Sequence, residues 1–468
     1  MMKRVRRIRN KTAAAAAAIC ALLMLGSCAA EDIFSNLPGE NATELYASSI
    51  DEDVSVADNS AAGIDASSAD AAPDSAAEAL AASQADTSSV AETKPEERIV
   101  AVTAPPNPYA ADYFLDGETD QIKDAYRKLY EGIFGYQSTI ELPEKTIQAD
   151  QIEDFLNFVL KTGSSLNQPG SRYEVFVDGE NYVTKVSLSY PRDLKTGMDM
   201  YDALMKRVDE LVKEAEPLLN DYDKLKYFHD TIINNCVYDA AAPNAHTAYG
   251  ALCEGRAVCD GYAMAFQLLC EKAGLAAIPV YGKGTDYTGK VVDHIWNKVV
   301  CGGEWFVVDV TWDDPVGNDQ VLRYDYFLID DATSARSLTT TSNRFMNAPA
   351  ALNAYGDFYS RNGLVIDYNS DIYYQFNNLL TSQMTDGWKN IALDFRCLDQ
   401  NLFNQIKQEY FTVLADGGKG FDNVLRDQFM EPGEAIKYTC SENENVYSYH
   451  ITVSKGNDQI TEGNTNAN

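Results

Sequence analysis

The chain has 468 residues, a formal charge of −32 and 45% hydrophobic residues, enough apolar material for at least one sizeable core and enough length for two or three domains. An acidic balance this strong argues against a phosphate-backbone binder, so nucleic acid is not an expected partner. Nine cysteines without a C-x-x-C pair, and only four histidines, leave little material for a structural metal site, and neither metal nor cofactor is expected.

Residues 1–27 carry six basic side chains (Lys3, Arg4, Arg6, Arg7, Arg9, Lys11) and no acid, with an apolar run from Thr12 to Leu25. The run is short for a membrane span and ends in small residues, as export signals do. Leu25-Gly26-Ser27-Cys28 resembles the bacterial lipobox, which implies that Cys28 becomes a lipidated N-terminus and that the protein is anchored to the outer side of the cell membrane. An ordinary secretory signal with an incidental cysteine is the alternative. Residues 29–100 hold sixteen acidic side chains against Lys94 and Arg98 and show no apolar periodicity. Such a segment buries too little to offset its ordering entropy, so residues 28–100 are expected to form a solvated tether.

Beyond it, apolar spacing predicts helices over 119–134 and 152–160, a short strand at 139–142, and a hairpin in which Tyr173, Val175 and Val177 run to the turn Asp178-Gly179 and Tyr182, Thr184, Val186 and Leu188 return. Leu204, Val208, Leu211, Val212 and Ala215 form the stripe of an amphipathic helix, and Leu225, Phe228, Ile232 and Ile233 continue with another. Near the C-terminus helices are expected at 372–384 and 402–414, a strand at 391–395 and a hairpin within 436–453. The order resembles that of the N-terminal stretch, either by duplication or by chance likeness of two α+β modules.

Between these modules Gly255-Arg256-Ala257-Val258-Cys259-Asp260-Gly261-Tyr262-Ala263 leads into a helical run, so Cys259 stands where a helix begins. Unpaired N–H groups and the positive end of the dipole favour a thiolate there, although a buried structural cysteine is the plainer reading of that feature alone. Further on, 291–300 and 305–312 read as strands around Gly302-Gly303, a favoured hairpin turn. With that turn at the centre, Trp296 faces Asp309, and His294 and Asp309 become diagonal neighbours on one face. Thiol, imidazole and carboxylate together would permit a nucleophilic triad.

These residues resemble the transglutaminase-like superfamily of papain-type cysteine enzymes: Gly255-x-x-x-Cys259-x-Gly261-Tyr262-Ala263, His294-x-Trp296-Asn297, and Trp305-x-x-x-Asp309-x-Thr311-Trp312-Asp313-Asp314-Pro315. The resemblance covers about 90 residues. It implies an α+β protein whose papain-like core sets a helix-start cysteine on an antiparallel sheet carrying His and Asp, with Cys259 as nucleophile, His294 as base and acid, and Asp309 as orienting carboxylate. The expected domains are 101–215 (N-terminal α+β module), 216–330 (core) and 331–468 (C-terminal α+β module). Tyr324, Tyr326 and Leu328 are expected to add one more strand to the core sheet.

Tyr249 is an oxyanion candidate, or a core aromatic with its hydroxyl at the rim. His229, His246 and His450 read as ordinary structural histidines without ligand-like partners. No particular disulfide is indicated among the remaining cysteines. The expected activity is acyl transfer from a protein or peptide amide to an amine or to water through a thioester. The alternatives are a non-catalytic scaffold that retains the fold and, from the anchor alone, a solute-binding lipoprotein.

Overall fold

A computed structural model of the chain describes residues 5–6, 102–166, 168–170, 172–286, 289–314, 322–383, 390–412, 420–429 and 435–456. Apart from the two-residue strand β1 (Val5–Arg6), the expected signal segment, Cys28 and the tether lie outside these residues, as does Pro315.

The N-terminal module comprises α1 (Tyr109–Leu115), α2 (Asp120–Phe134), β2 (Thr139–Glu141), α3 (Ile152–Thr162), β3 (Tyr173–Val177) and β4 (Val183–Leu188). Helix α2 starts where Thr119 accepts a hydrogen bond from the Ile122 N–H. The periodicity predicts α2 but not α1, a short helix that begins directly after Pro108, where a missing N–H costs nothing. Strand β4 lies between β2 and β3, antiparallel to both. The register shifts between Phe176 and Val177, so Val183 pairs with Val177. Val183, Val186 and Leu188 therefore face the core, while the expected Tyr182 and Thr184 do not.

In the central region α4 (Leu194–Ala215) and α5 (Asp221–Asn235) bury the two expected stripes against α6 (Cys259–Lys272). A short parallel pair, β5 (Val237–Tyr238) and β6 (Arg256–Ala257), leads into α6. The main sheet contains β7 (Ala277–Thr285), β8 (Val291–Cys301), β9 (Glu304–Val308), β10 (Phe327–Ile329) and β11 (Leu338–Thr340), in the antiparallel order β10-β9-β8-β7-β11. Val299, Cys301, Phe306 and Val308 pack with α6, whereas Val280, Trp296, Val307 and Tyr326 form a separate cluster. Strand β10 begins only at Phe327, later than the Tyr324-Tyr326-Leu328 alternation predicts, because residues 325–326 form a turn in which the Phe327 N–H donates to the Tyr324 carbonyl at 3.3 Å; Leu328, at φ +59°, then shifts the ladder. Through α7 (Asp331–Ser334) and β11 the sheet also extends past residue 330.

The chain then turns back. Phe345 and Met346 enter the core of the N-terminal module, with the Phe345 ring 4.8 Å from Phe155, and Arg344 pairs with Glu118 at 2.7 Å. The C-terminal module follows with α8 (Phe358–Arg361), β12 (Val365–Ile366), α9 (Ile372–Gln383), β13 (Asn390–Cys397), α10 (Gln400–Ile406), a π-helical turn at Lys407–Phe411, α11 (Phe421–Phe429), β14 (Ala435–Asn443) and β15 (Ser448–Gly456). The single helix expected over 402–414 is thus divided, and Leu414 lies outside the described residues. Both flanking modules place the second hairpin strand in the middle, antiparallel to its hairpin mate and to the preceding strand: β3-β4-β2 in one, β14-β15-β13 in the other. The C-terminal module adds β12, parallel to β13.

Because Phe345 completes a core formed by residues nearly two hundred positions earlier, it is more than a linker side chain. Phe345→Ala is expected to cost about 3–5 kcal/mol in urea unfolding, the range for deleting a buried aromatic ring. A loss below about 1 kcal/mol, the size of a surface substitution, would show that the returning segment contributes no core.

Candidate active site

Cys259 is the first residue of α6, after Val258 in extended conformation. The helix start lies close against residues 245–247: the Val258 N–H donates to the Ala245 carbonyl at 3.0 Å, and a Cβ on Gly261 would fall 2.5 Å from that same oxygen. Only glycine fits there, which accounts for Cys-x-Gly in the sequence. Cys259 is partly exposed.

Hairpin β8–β9 has the expected register. Gly302 and Gly303 turn with φ +62° and +87°, Cys301 pairs with Glu304, and the ladder continues to Asn297 and Val308. The strand expected over 305–312 ends at Val308, so Trp296 and Asp309 do not pair in the ladder; Asp309 instead opens a turn whose N–H groups donate to its own carboxylate. His294 Nε2 lies 2.5 Å from Asp309 Oδ2, with both side chains buried (3% and 1% exposed). The other Asp309 oxygen accepts from the N–H groups of Thr311 and Trp312, each at 3.2 Å, and so fixes its own turn. Since Asp309 engages Nε2, Nδ1 is the imidazole nitrogen left for a second partner.

Burial pushes the His294 pKa down, but the Asp309 carboxylate and then the Cys259 thiol overcome it and hold the pKa at about 10. The imidazole lies parallel to the Trp312 ring at 4.8 Å and to Trp296 at 6.0 Å. Strand β7 makes room for these rings by carrying glycine at 282 and 284: a Cβ at 284 would come within 2.5 Å of Trp312, and one at 282 within 2.8 Å of Trp296.

Beside the thiol, Asp260 accepts from Lys161 Nζ at 2.5 Å and hydrogen-bonds His246 Nδ1 at 2.8 Å. Burial would raise the Asp260 pKa, yet these two partners hold it well below the ordinary carboxylate range. Lys161 belongs to α3, so this ion pair joins the N-terminal module to the helix that carries Cys259. Tyr249 stands at the start of a π-helical turn (Gly250–Glu254), where burial is the first cause that raises its pKa. Tyr281 on β7 is the phenol that senses Cys259 and Asp260; burial first, then Asp293 and these groups, pushes its pKa up to about 12.

The other histidines are hydrogen-bonded to carboxylates from several parts of the chain. His229 lies between Asp230 and Asp313 at 3.0 and 3.1 Å, and His450 between Asp394 and Asp325, both at 3.0 Å. The described cysteines are free thiols, and among the described residues no group of three or more His, Cys, Asp or Glu is placed to hold a metal ion.

A family model described as the transglutaminase-like superfamily matches residues 209–310. Residues 209–310 are a transglutaminase-like domain. The match starts inside α4. The kyphoscoliosis peptidases of Homo sapiens and Mus musculus are each 32% identical to this chain, over 130 and 121 residues, covering 25% and 23% of it. Each alignment covers 18% of the relative, so the chain spans less than a fifth of the length of these curated proteins. A crystal structure of a TGase is similar at 17% identity and a TM-score of 0.22, over 48% of this chain and 58% of that one.

The raised pKa of His294 in the transglutaminase-like domain has a signed effect on stability. A folded-state pKa of about 10 against an ordinary 6.5 contributes stability that is fully present below pH 6.5 and lost as pH rises through 10. In urea unfolding the stability gap between the protein and His294→Gln is expected to be widest below pH 6.5 and to close toward pH 10. A gap independent of pH would mean that the folded protein holds no extra proton at His294.

Proposed function

We propose that the transglutaminase-like domain is a cysteine enzyme acting on amides of proteins or peptides through a thioester acyl-enzyme. Cys259 is the nucleophile, His294 the general base and acid, and Asp309 the carboxylate that fixes the imidazole. The observation that carries this reading is a buried imidazole bonded to a carboxylate, beside a helix-start cysteine whose thiol helps hold the proton on that ring. The Cys259 sulfur attacks the amide carbonyl carbon while His294 holds the thiol proton, which then passes to the departing amine as the C–N bond breaks. Water or a second amine next attacks the thioester, His294 takes its proton, and the thiolate leaves. The backbone N–H of Cys259 is the natural first donor to the oxyanion. The peptidase name of the curated relatives supports water as acceptor.

The test is the pH dependence of Cys259 alkylation by iodoacetamide, followed by peptide mapping to separate the other thiols. Cys259 is expected to be alkylated faster than the other thiols at neutral pH, and His294→Ala to remove that advantage. A thiol that titrates like free cysteine in both proteins would end the enzyme reading.

We also propose that Cys28 is lipidated and anchors the protein to the cell membrane, a reading supported by the charge and spacing of residues 1–28. Cys28→Ser is expected to abolish incorporation of a fatty-acid label and to release the protein from the membrane fraction. Unchanged labelling would assign the lipid to another residue.

A further inference from the structure

The Asp309 carboxylate rides on one tight turn, residues 309–314, and the backbone of Tyr326 holds that turn on both sides. The Asp309 N–H donates to the Tyr326 carbonyl at 3.1 Å, and the Tyr326 N–H donates to Asp313 Oδ1 at 2.9 Å. The Tyr326 ring meets Trp312 edge-on at 5.2 Å, and Trp312 is the ring stacked on His294.

The preceding residue, Asp325, is buried and turned toward the C-terminal module. Its Oδ1 accepts from the Tyr359 hydroxyl at 2.8 Å, and its Oδ2 is bonded by Asn443 Nδ2 at 2.9 Å and His450 Nε2 at 3.0 Å. Arg396 Nη2 donates to the Asp325 carbonyl at 2.8 Å, and Arg396 Nη1 pairs with Asp357 at 3.1 Å. Arg396, Asn443 and His450 come from three strands of one sheet, β13, β14 and β15. Asp394, paired with His450 in the ladder, takes the other imidazole nitrogen.

The carbonyl of Asp325 and the N–H of Tyr326 are the two ends of one peptide group, which is planar and stiff. Arg396 grips one end and Asp313 of the active-site turn the other. We propose that the C-terminal module is a positioning element of the active site: through Arg396 and the Asp325 carboxylate it fixes the Asp325–Tyr326 peptide, and thereby the Asp309 turn and the Trp312 ring over His294. The proposal rests on the reading of Cys259, His294 and Asp309 as the catalytic centre. Arg396 and His450 are positioning residues and touch no reacting atom. A carboxylate buried with several donors has few other places to go, so losing one donor shifts the peptide rather than merely loosening a surface contact.

The experiment measures Cys259 alkylation by iodoacetamide against pH in the full chain, with melting temperatures by circular dichroism, for Arg396→Ala, His450→Ala, His450→Gln and Asn443→Ala. Arg396→Ala and His450→Ala are expected to slow alkylation at neutral pH roughly tenfold to a hundredfold, the cost of a small misplacement of catalytic groups, and to move the profile toward that of a free thiol. His450→Gln keeps an N–H donor toward Asp325 and is expected to restore most of the rate. Asn443→Ala leaves the other donors in place and keeps the test available if the alanine variants do not fold. Lowered melting temperatures with a wild-type profile in every folded variant would overturn the proposal. His294→Ala serves as reference: if it leaves the profile unchanged, the catalytic reading fails and this proposal with it, whereas an altered His294→Ala profile beside unaltered Arg396, His450 and Asn443 variants rejects the positioning role alone.

Discussion

Asp309 has two oxygens and two obligations. One oxygen satisfies the N–H groups of its own turn and the other holds a buried imidazole, so neither is free for water. Placing a carboxylate and an imidazole together out of solvent is costly unless geometry and remaining hydrogen bonds are both satisfied. Much of the surrounding structure serves that requirement: the Gly-Gly turn that sets the register of β8 against β9, the side-chain-free positions on β7, and the Tyr326 backbone that braces the turn.

The same logic extends outward in layers of buried carboxylates, each given donors from another part of the chain. Asp260 receives Lys161 from the N-terminal module, Asp313 receives His229 from α5, and Asp325 receives His450 and Asn443 from the C-terminal module. The transglutaminase-like domain is therefore held from both sides by ionic and hydrogen-bonded contacts as well as by apolar packing. An acidic chain with few histidines has spent three of its four on carboxylates in this region. The fourth, His450, docks a module.

Local features of the fold and site were legible in the sequence because local rules determine them. A two-residue turn with both residues at positive φ fixes a hairpin register, so Gly302-Gly303 sets the ladder as far as Asn297 and Val308, and the turn that Asp309 opens completes its approach to His294. Close approach at Gly261 likewise writes itself into a short motif. Contacts between distant residues left no such trace. Lys161 and Asp260 are 99 positions apart, Asp325 and His450 125, and each is an unremarkable charged or polar residue in its own segment. The division of the helix expected at 402–414 was hidden for another reason: apolar spacing does not distinguish a continuous helix from one that passes into a π turn.

The return of residues 344–346 to the N-terminal module also orders events in time. A chain emerging from its N-terminus can begin to fold domain by domain, but here the first module lacks Phe345 until the whole stretch matched as transglutaminase-like has already emerged. The earliest module to be made is among the later ones to be completed. Until then its apolar face, around Phe155 and Phe158, stays open on a nascent chain that already carries the Cys259 thiol. Truncations that end near residue 330 would preserve that unfinished state.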